Sequence, residues 1–124
     1  MLDHLGLNVS DYDAAKAFYE RALAPLGLEV LWEPIPNACG FGDPEVKKPF
    51  FWIATRGPAQ TEVHVAFAAE DRETVDAFHA AALAAGATDN GPPGVREIYH
   101  PDYYGAFVLD LDGNNVEAVC HKPA

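Results

Sequence analysis

Three residues in this sequence have the types and positions needed to bind a metal ion together. His4 and His64 each stand at the beginning of a short apolar run, and Glu117 stands inside a third run near the end of the chain. Successive side chains of a strand point to opposite faces, so each of the three faces away from the apolar side of its own run. Two imidazoles and one carboxylate on a shared concave surface form a set that binds Fe(II), Mn(II), Zn(II) or Ni(II) and leaves coordination positions open.

The surroundings of the two histidines are themselves repeated. A shift of the sequence by about 60 residues aligns one helix-like segment with another, in the order strand, cap, helix, glycine. The matched pairs are His4 with His64, Asp11 with Asp71, Ala17 with Ala77, Phe18 with Phe78, Ala22 with Ala82 and Leu23 with Leu83. We therefore predict one domain over residues 1–124, built from two repeats at about 1–56 and 60–122. If a two-fold axis relates the repeats, we expect the beginnings of the two histidine-bearing strands to lie close together.

Local signals define the elements of each repeat. Ser10 followed by Asp13 resembles a capping box, which predicts a first helix that ends near Pro25 and Gly27. The second helix is predicted from about Asp71 to Gly86. Strand-like runs are "LEVLW", "ACGFG", "FFWIAT", "REIY", "GAFVLDL" and "NVEAVCH", with Asp-Gly-Asn at 112–114 as a hairpin turn. The pattern favours an α+β fold of two β-α-β-β-β modules, in which helices lie outside a curved mixed sheet that forms a half-open cup.

The remaining histidines are weaker candidates as metal ligands. His121 shares a face with Glu117 but lies four residues further, which is about 13 Å along a strand. His79 is predicted on a solvated helix face, and His100 in a surface loop. We therefore expect neither of them, nor His121, to bind the same ion as Glu117.

Composition excludes several classes of partner. The chain has 8 Lys and Arg against 19 Asp and Glu, a net charge of −11, which disfavours binding to nucleic acid. No run of about 18 apolar residues is present, so a membrane span is not expected. No secretory signal is recognised, and Cys39 and Cys120 match no metal spacing. Free thiols in the reducing cytoplasm are the expectation.

The sequence resembles the vicinal oxygen chelate superfamily, which includes glyoxalases, bleomycin-resistance proteins and extradiol dioxygenases. Three stretches carry this resemblance: "DHLGLNVSDYDAAKAFYERAL", "TEVHVAF" and "YGAFVLDLDGNNVEAV". It implies paired modules around a divalent ion (Fe, Mn, Ni or Zn), a small-molecule substrate, and a homodimer in which the cup is often shared between chains. The positions that match the family's ligands are His4, His64 and Glu117.

The resemblance also indicates one departure. Glyoxalase I has a fourth ligand on the fourth strand, a glutamate or glutamine, and a glutamate there also transfers protons. Here Trp52 is the candidate for that position, because Phe51 and Ile53 are predicted in the core and Trp52 on the cup face. Tryptophan cannot move a proton at neutral pH, so ordinary glyoxalase I activity is not expected. Trp52 and Tyr104 are predicted to line the cup and contact substrate.

Three functions remain open at this stage. The first is a metal-dependent enzyme of the dioxygenase, lyase or isomerase type, in which the ion chelates a small oxygenated substrate; no general base is identifiable, so no catalytic residue is assigned. The second is a non-catalytic protein that sequesters a cationic drug or metabolite, which the acidic composition favours. The third, an accessory domain, has no supporting feature.

Overall fold

The computed structural model describes all residues, Met1–Ala124. The elements in chain order are β1 (Leu5–Asn8), α1 (Tyr12–Leu23), β2 (Glu29–Ile35), β3 (Ala38–Gly42), β4 (Phe51–Ala54), β5 (His64–Ala68), α2 (Arg72–Ala84), β6 (Thr88–Asp89), β7 (Gly94–Val95), β8 (Tyr104–Leu109) and β9 (Asn115–Cys120). The run "REIY" is a turn and not the predicted strand, because the carbonyl of Arg96 accepts hydrogen bonds from the backbone N–H groups of Tyr99 and His100. Neither helix is long and apolar enough to cross a membrane.

The strands form two open mixed sheets, one from each repeat. The first has the order β1–β4–β3–β2, and the second has the order β5–β9–β8–β6, with β7 also paired to β8. In both sheets the first strand is parallel to its neighbour and the other pairs are antiparallel. The predicted α+β fold is confirmed.

The helices begin at aspartate caps. Asp71 caps α2 as predicted, and its side chain accepts a hydrogen bond from the backbone N–H three residues further on. In α1 the cap is Asp11, so the predicted capping box at Ser10 was wrong by one residue. Ser10 is not available as a cap because its hydroxyl donates to Asp112 in the distant β8–β9 turn.

Both sheets and both helices share one apolar core. The rings of Phe51 on β4 and Phe67 on β5 meet edge to face, with centroids 5.2 Å apart, and α1 packs against α2. The opposite face of each sheet, which carries Trp52 in the first and His64 in the second, is turned away from this core. These two outer faces contain Trp52, His64 and Glu117, three of the residues that the sequence singled out for chemistry.

The strands β1 and β5 run in opposite directions past each other. The beginning of β1 borders the same groove as the end of β5, with Leu5 on one side and Ala68 on the other. At the other end, the backbone N–H of Gln60, just before β5, donates to the carbonyl of Asn8 at 3.0 Å. Within one chain the fold does not gather His4 with His64 and Glu117, since no three His, Cys, Asp or Glu side chains are placed to hold a metal ion.

The β8–β9 turn joins the two repeats. Asp110, 7% exposed, accepts a hydrogen bond from the hydroxyl of Tyr19 on α1 at 2.5 Å. Asn114 is fully buried; its amide donates to the carbonyl of Gln60 at 2.8 Å, and its oxygen accepts from the backbone N–H of Val63 at 3.0 Å. These bonds fix the segment that leads into β5, and so they fix where His64 starts.

Candidate metal centre

Glu117 is the centre of the candidate site. It lies in the middle of β9, opposite Ala66 of β5 and Phe107 of β8, and it is fully buried. Its Oε1 lies 2.8 Å from Nε2 of His64, and its Oε2 accepts a hydrogen bond from the hydroxyl of Tyr103. A buried carboxylate is costly unless it is paired and hydrogen-bonded, and these two side chains supply both partners.

Tyr103 was not identified from the sequence, and a glycine makes its contact with Glu117 possible. A Cβ atom at Gly105 would lie 3.2 Å from Oε2 of Glu117 and 3.2 Å from the ring of Tyr103. Burial, followed by the hydrogen bond to Glu117, raises the pKa of Tyr103. The phenol therefore stays protonated at neutral pH, and its hydroxyl donates a hydrogen bond to Oε2 of Glu117. The sequence does show an aromatic residue two positions before a glycine in a strand. That pattern does not identify a partner of Glu117 unless the register between the strands is known.

His64 and Glu117 fit two neighbouring positions around a divalent ion. A separation of 2.8 Å between nitrogen and oxygen corresponds to an angle of about 85° at an ion with bonds of about 2.1 Å. Oε2 is held by Tyr103, so Oε1 is the oxygen left for an ion. The imidazole of His64 is 53% exposed, with its ring beside that of Phe107, so the ion's other positions would face open space.

His4 is placed apart from this pair. Its Nδ1 lies 2.6 Å from Asp3, and its side chain is 59% exposed. The other carboxylate oxygen of Asp3 accepts from Nζ of Lys48 at 2.6 Å, and the hydrogen bonds from Lys48 and then from His4 lower the pKa of Asp3. The single chain gathers no three His, Cys, Asp or Glu side chains that could hold a metal ion. Of the three predicted ligands, the fold brings two together and leaves Nε2 of His4 free at the surface.

Trp52 lies on the outer face of the first sheet, the face that the alternation predicted. It pairs with Gly40 on β3, where a Cβ atom would approach the indole to 2.8 Å, so only glycine lets the ring lie across the strand. The indole forms one wall of a cavity of about 420 Å³. Its lining includes His4, Gly6, Asn8, Trp52, Ala54 and Arg56.

Tyr104 lies on the opposite face from the one expected. Its hydroxyl donates to Asp76 of α2 at 2.6 Å, and the guanidinium of Arg72 lies 5.0 Å above its ring. The side chains of β8 that are buried are those of the even-numbered Ala106 and Val108, so Tyr104 lies on the core side of the strand and not on the cup side. Phe107, and not Tyr104, faces the same side as Glu117.

The other three histidines do not join Glu117. His79 is buried, contrary to the prediction of a solvated position, and its Nε2 lies 2.9 Å from Asp89. His100 is paired with His121 at the surface, with Nε2 and Nδ1 2.7 Å apart. Both rings of this pair pack against Tyr103, which is their only connection to the candidate centre.

Comparison with known proteins identifies the family. The model of the Glyoxalase/Bleomycin resistance protein/Dioxygenase superfamily matches residues 1–118. A glyoxalase/bleomycin resistance protein from Albidiferax ferrireducens is 31% identical, with 97% of each chain covered and a TM-score of 0.80. A family enzyme from Burkholderia phytofirmans (20% identity, 98% of each chain, TM-score 0.72) shares the fold. So does a mutant glyoxalase I from Zea mays (21% identity, 95% of this chain and 46% of that one, TM-score 0.68). No curated protein was found to match. The chain belongs to the glyoxalase/bleomycin resistance protein/dioxygenase superfamily.

Proposed function

We propose that this protein is a metal-dependent enzyme whose divalent ion is held by His64 and Glu117 of one chain and by His4 of the partner subunit. The observation that carries the proposal is the pair formed by His64 and the buried Glu117, whose Oε1 has no partner other than the half-exposed imidazole. The third ligand is present in the sequence, but within one chain it does not join the pair. A second copy of the chain supplies it without any change of fold.

The symmetry of a dimer suits this arrangement. In a two-fold dimer every contact is repeated in the reverse sense, so if the outer face of the first sheet in one chain lies against that of the second sheet in the other, the reciprocal contact forms as well. Two identical sites result, each with one His4. Both outer faces are available for this contact, because His4 and His64 are each more than half exposed.

The residues of the chain have separate roles at such a site. The bound ion, Fe, Mn, Ni or Zn, would supply a Lewis acid that polarises neighbouring oxygens of a small substrate. Tyr103 holds Oε2 of Glu117 and thereby directs Oε1 outward. Trp52 presents an apolar wall and no acid–base group, so a reaction that needs a base at this position, as in glyoxalase I, is not the one we propose.

Mixing two inactive variants tests the shared site directly. Neither His4→Ala nor His64→Ala alone retains a complete ligand set, so each homodimer is expected to lose most of its metal. In a hybrid dimer, one site combines His4 of one chain with His64 and Glu117 of the other. After unfolding and refolding together, the mixture should recover about one quarter of the wild-type metal content, since half the dimers are hybrids and each has one intact site. Metal analysis after removal of free ion measures this.

Two controls make the result interpretable. A mixture of His4→Ala with Glu62→Gln, an exposed residue outside the site, should hold about half of the wild-type metal content whether or not the site is shared, so it checks that a refolded mixture regains metal. Each variant refolded by itself gives the background. No recovery above that background in the His4→Ala and His64→Ala mixture would refute a site shared between two copies.

The enzymatic part of the proposal has its own test. Catechols, glutathione hemithioacetals and epoxides are offered to protein loaded with Fe, Mn, Ni or Zn, and turnover is compared with that of Glu117→Gln. We expect turnover of at least one class that disappears in the variant. Full metal loading without turnover of any class would leave a metal-binding protein and contradict the enzyme.

A further inference from the structure

We propose that the substrate of this site is a small anion with a planar, apolar body, of which an aromatic carboxylate is the simplest form. The inference rests on the proposed function only in placing the 420 Å³ cavity next to the metal ion. A volume of this size is within the range of small-molecule sites, about 300–1,000 Å³. Its lining determines the charge and the shape of what it accepts.

The charge of the lining is opposite to that of the protein. The chain has 19 carboxylates and a net charge of −11, yet no carboxylate lines this cavity. The only permanently charged residue there is Arg56, and no carboxylate lies within ion-pair distance of its guanidinium. Asp3, the acidic residue next to His4, lies outside the lining and is bound by Lys48. An unpaired guanidinium in such a chain is available to bind a carboxylate.

The shape of the lining favours a flat ring. The indole of Trp52 is held edge to face against Trp32, with centroids 5.8 Å apart. The residue of β1 that pairs with Trp52 is Gly6. A Cβ atom at Gly6 would have no other atom within 4 Å, so the space beside the indole is open. A fixed aromatic face beside open space accepts a planar apolar group by stacking.

These two features decide between ligand charges that composition alone leaves open. The acidic surface attracts cations at long range, which is the basis for expecting a cationic drug. The permanently charged residue that lines the cavity is Arg56, which repels a cation and attracts an anion. The local charge wins because the distant surface charges are screened within about 10 Å at 0.1 M salt.

Tryptophan fluorescence tests the inference without metal or turnover. The chain has only two tryptophans: Trp52 lines this cavity, and Trp32 packs against the indole of Trp52. Benzoate, benzamide and benzamidine share one ring and carry charges of −1, 0 and +1. We expect benzoate to quench with an affinity about fivefold higher than that of benzamide, the effect of one exposed ion pair. Benzamidine should bind most weakly.

A matched pair of arginine variants assigns the effect. Arg56→Gln should remove the preference for benzoate over benzamide and leave benzamide binding unchanged. Arg21→Gln makes the same charge change at an exposed position of α1 outside the cavity, and it should retain the preference. The inference is overturned if benzamidine binds as tightly as benzoate, if Arg56→Gln keeps the preference, or if none of the three probes quenches.

The outcomes separate this inference from the proposed function. Restored metal in the mixed variants together with a preference independent of Arg56 would leave the metal site standing and refute the anionic substrate. An Arg56-dependent preference without restored metal would do the reverse.

Discussion

Two buried carboxylates, Asp110 and Glu117, differ in how their hydrogen bonds are supplied. Asp110 accepts from the hydroxyl of Tyr19, from the side-chain amide of Asn114 and from two backbone N–H groups of its own turn. Glu117 accepts from Tyr103 and is otherwise bonded only to the half-exposed His64. Each carboxylate accepts a hydrogen bond from a tyrosine hydroxyl. Only Glu117 also contacts a side chain, His64, that is half-exposed to solvent.

The difference separates a structural carboxylate from a chemical one. Every partner of Asp110 belongs to the turn or to α1, so the whole group stabilises the junction of the two repeats. At Glu117 the bond to His64 can be replaced by bonds from both groups to one ion, because 2.8 Å also suits neighbouring ligands. Burial alone therefore does not identify a functional carboxylate; the chemistry of its partners does.

Removal of the turn carboxylate should have the largest effect on stability. Asp110→Ala leaves the hydroxyl of Tyr19 and one N–H of the Asn114 amide without their buried acceptor. We expect the free energy of unfolding to fall by about 3 kcal/mol or more, since each unsatisfied group costs about 1–3 kcal/mol. Urea unfolding of metal-free protein measures it, with Glu62→Ala, at an exposed position away from the turn, as the control. A loss no larger than that of the control would break the comparison.

Neutralisation of the strand carboxylate should affect metal binding more than stability. Glu117→Gln keeps the shape and can still accept from Tyr103, while the cost of burying a charge disappears. We expect metal affinity to fall by about 100-fold or more and the free energy of unfolding of the metal-free protein to change by less than about 1 kcal/mol. Titration with Zn(II) and urea unfolding in chelator give the two values, with Glu62→Gln as the charge control. Unchanged affinity would exclude Glu117 as a ligand.

The two tyrosines give the finest comparison, because the same substitution is possible at both. Tyr19→Phe and Tyr103→Phe each delete one hydrogen bond to a buried carboxylate, and each should lower the free energy of unfolding by about 1 kcal/mol. Only Tyr103→Phe should also lower metal affinity, by about tenfold, because the second oxygen of Glu117 is then no longer held. Parallel losses of affinity in both variants would mean that the effect passes through stability and not through Glu117.

The differences between expectation and structure have specific physical causes. Ser10 has the right residue type for a cap, but a hydroxyl bonds whichever acceptor the fold brings near, and that acceptor is Asp112. His79 follows a helical pattern that permits either face, and its pairing with Asp89 allows burial. Tyr104 was expected to line the cup, but the buried side chains of Ala106 and Val108 show that the even-numbered positions of β8 face the core, and Tyr104 lies on that side against α2.

The sequence by itself determined the repeat, the α+β fold, the residue types of the candidate site and the outward face of Trp52, because these follow from local periodicity and capping. Only the tertiary structure decided that β1 and β5 run in opposite directions, that Tyr103 reaches Glu117, and that Arg56 borders a cavity without carboxylates. Those features depend on contacts between segments far apart in the chain. A pattern of residues fixes which face a side chain takes, but not which distant side chain it meets there.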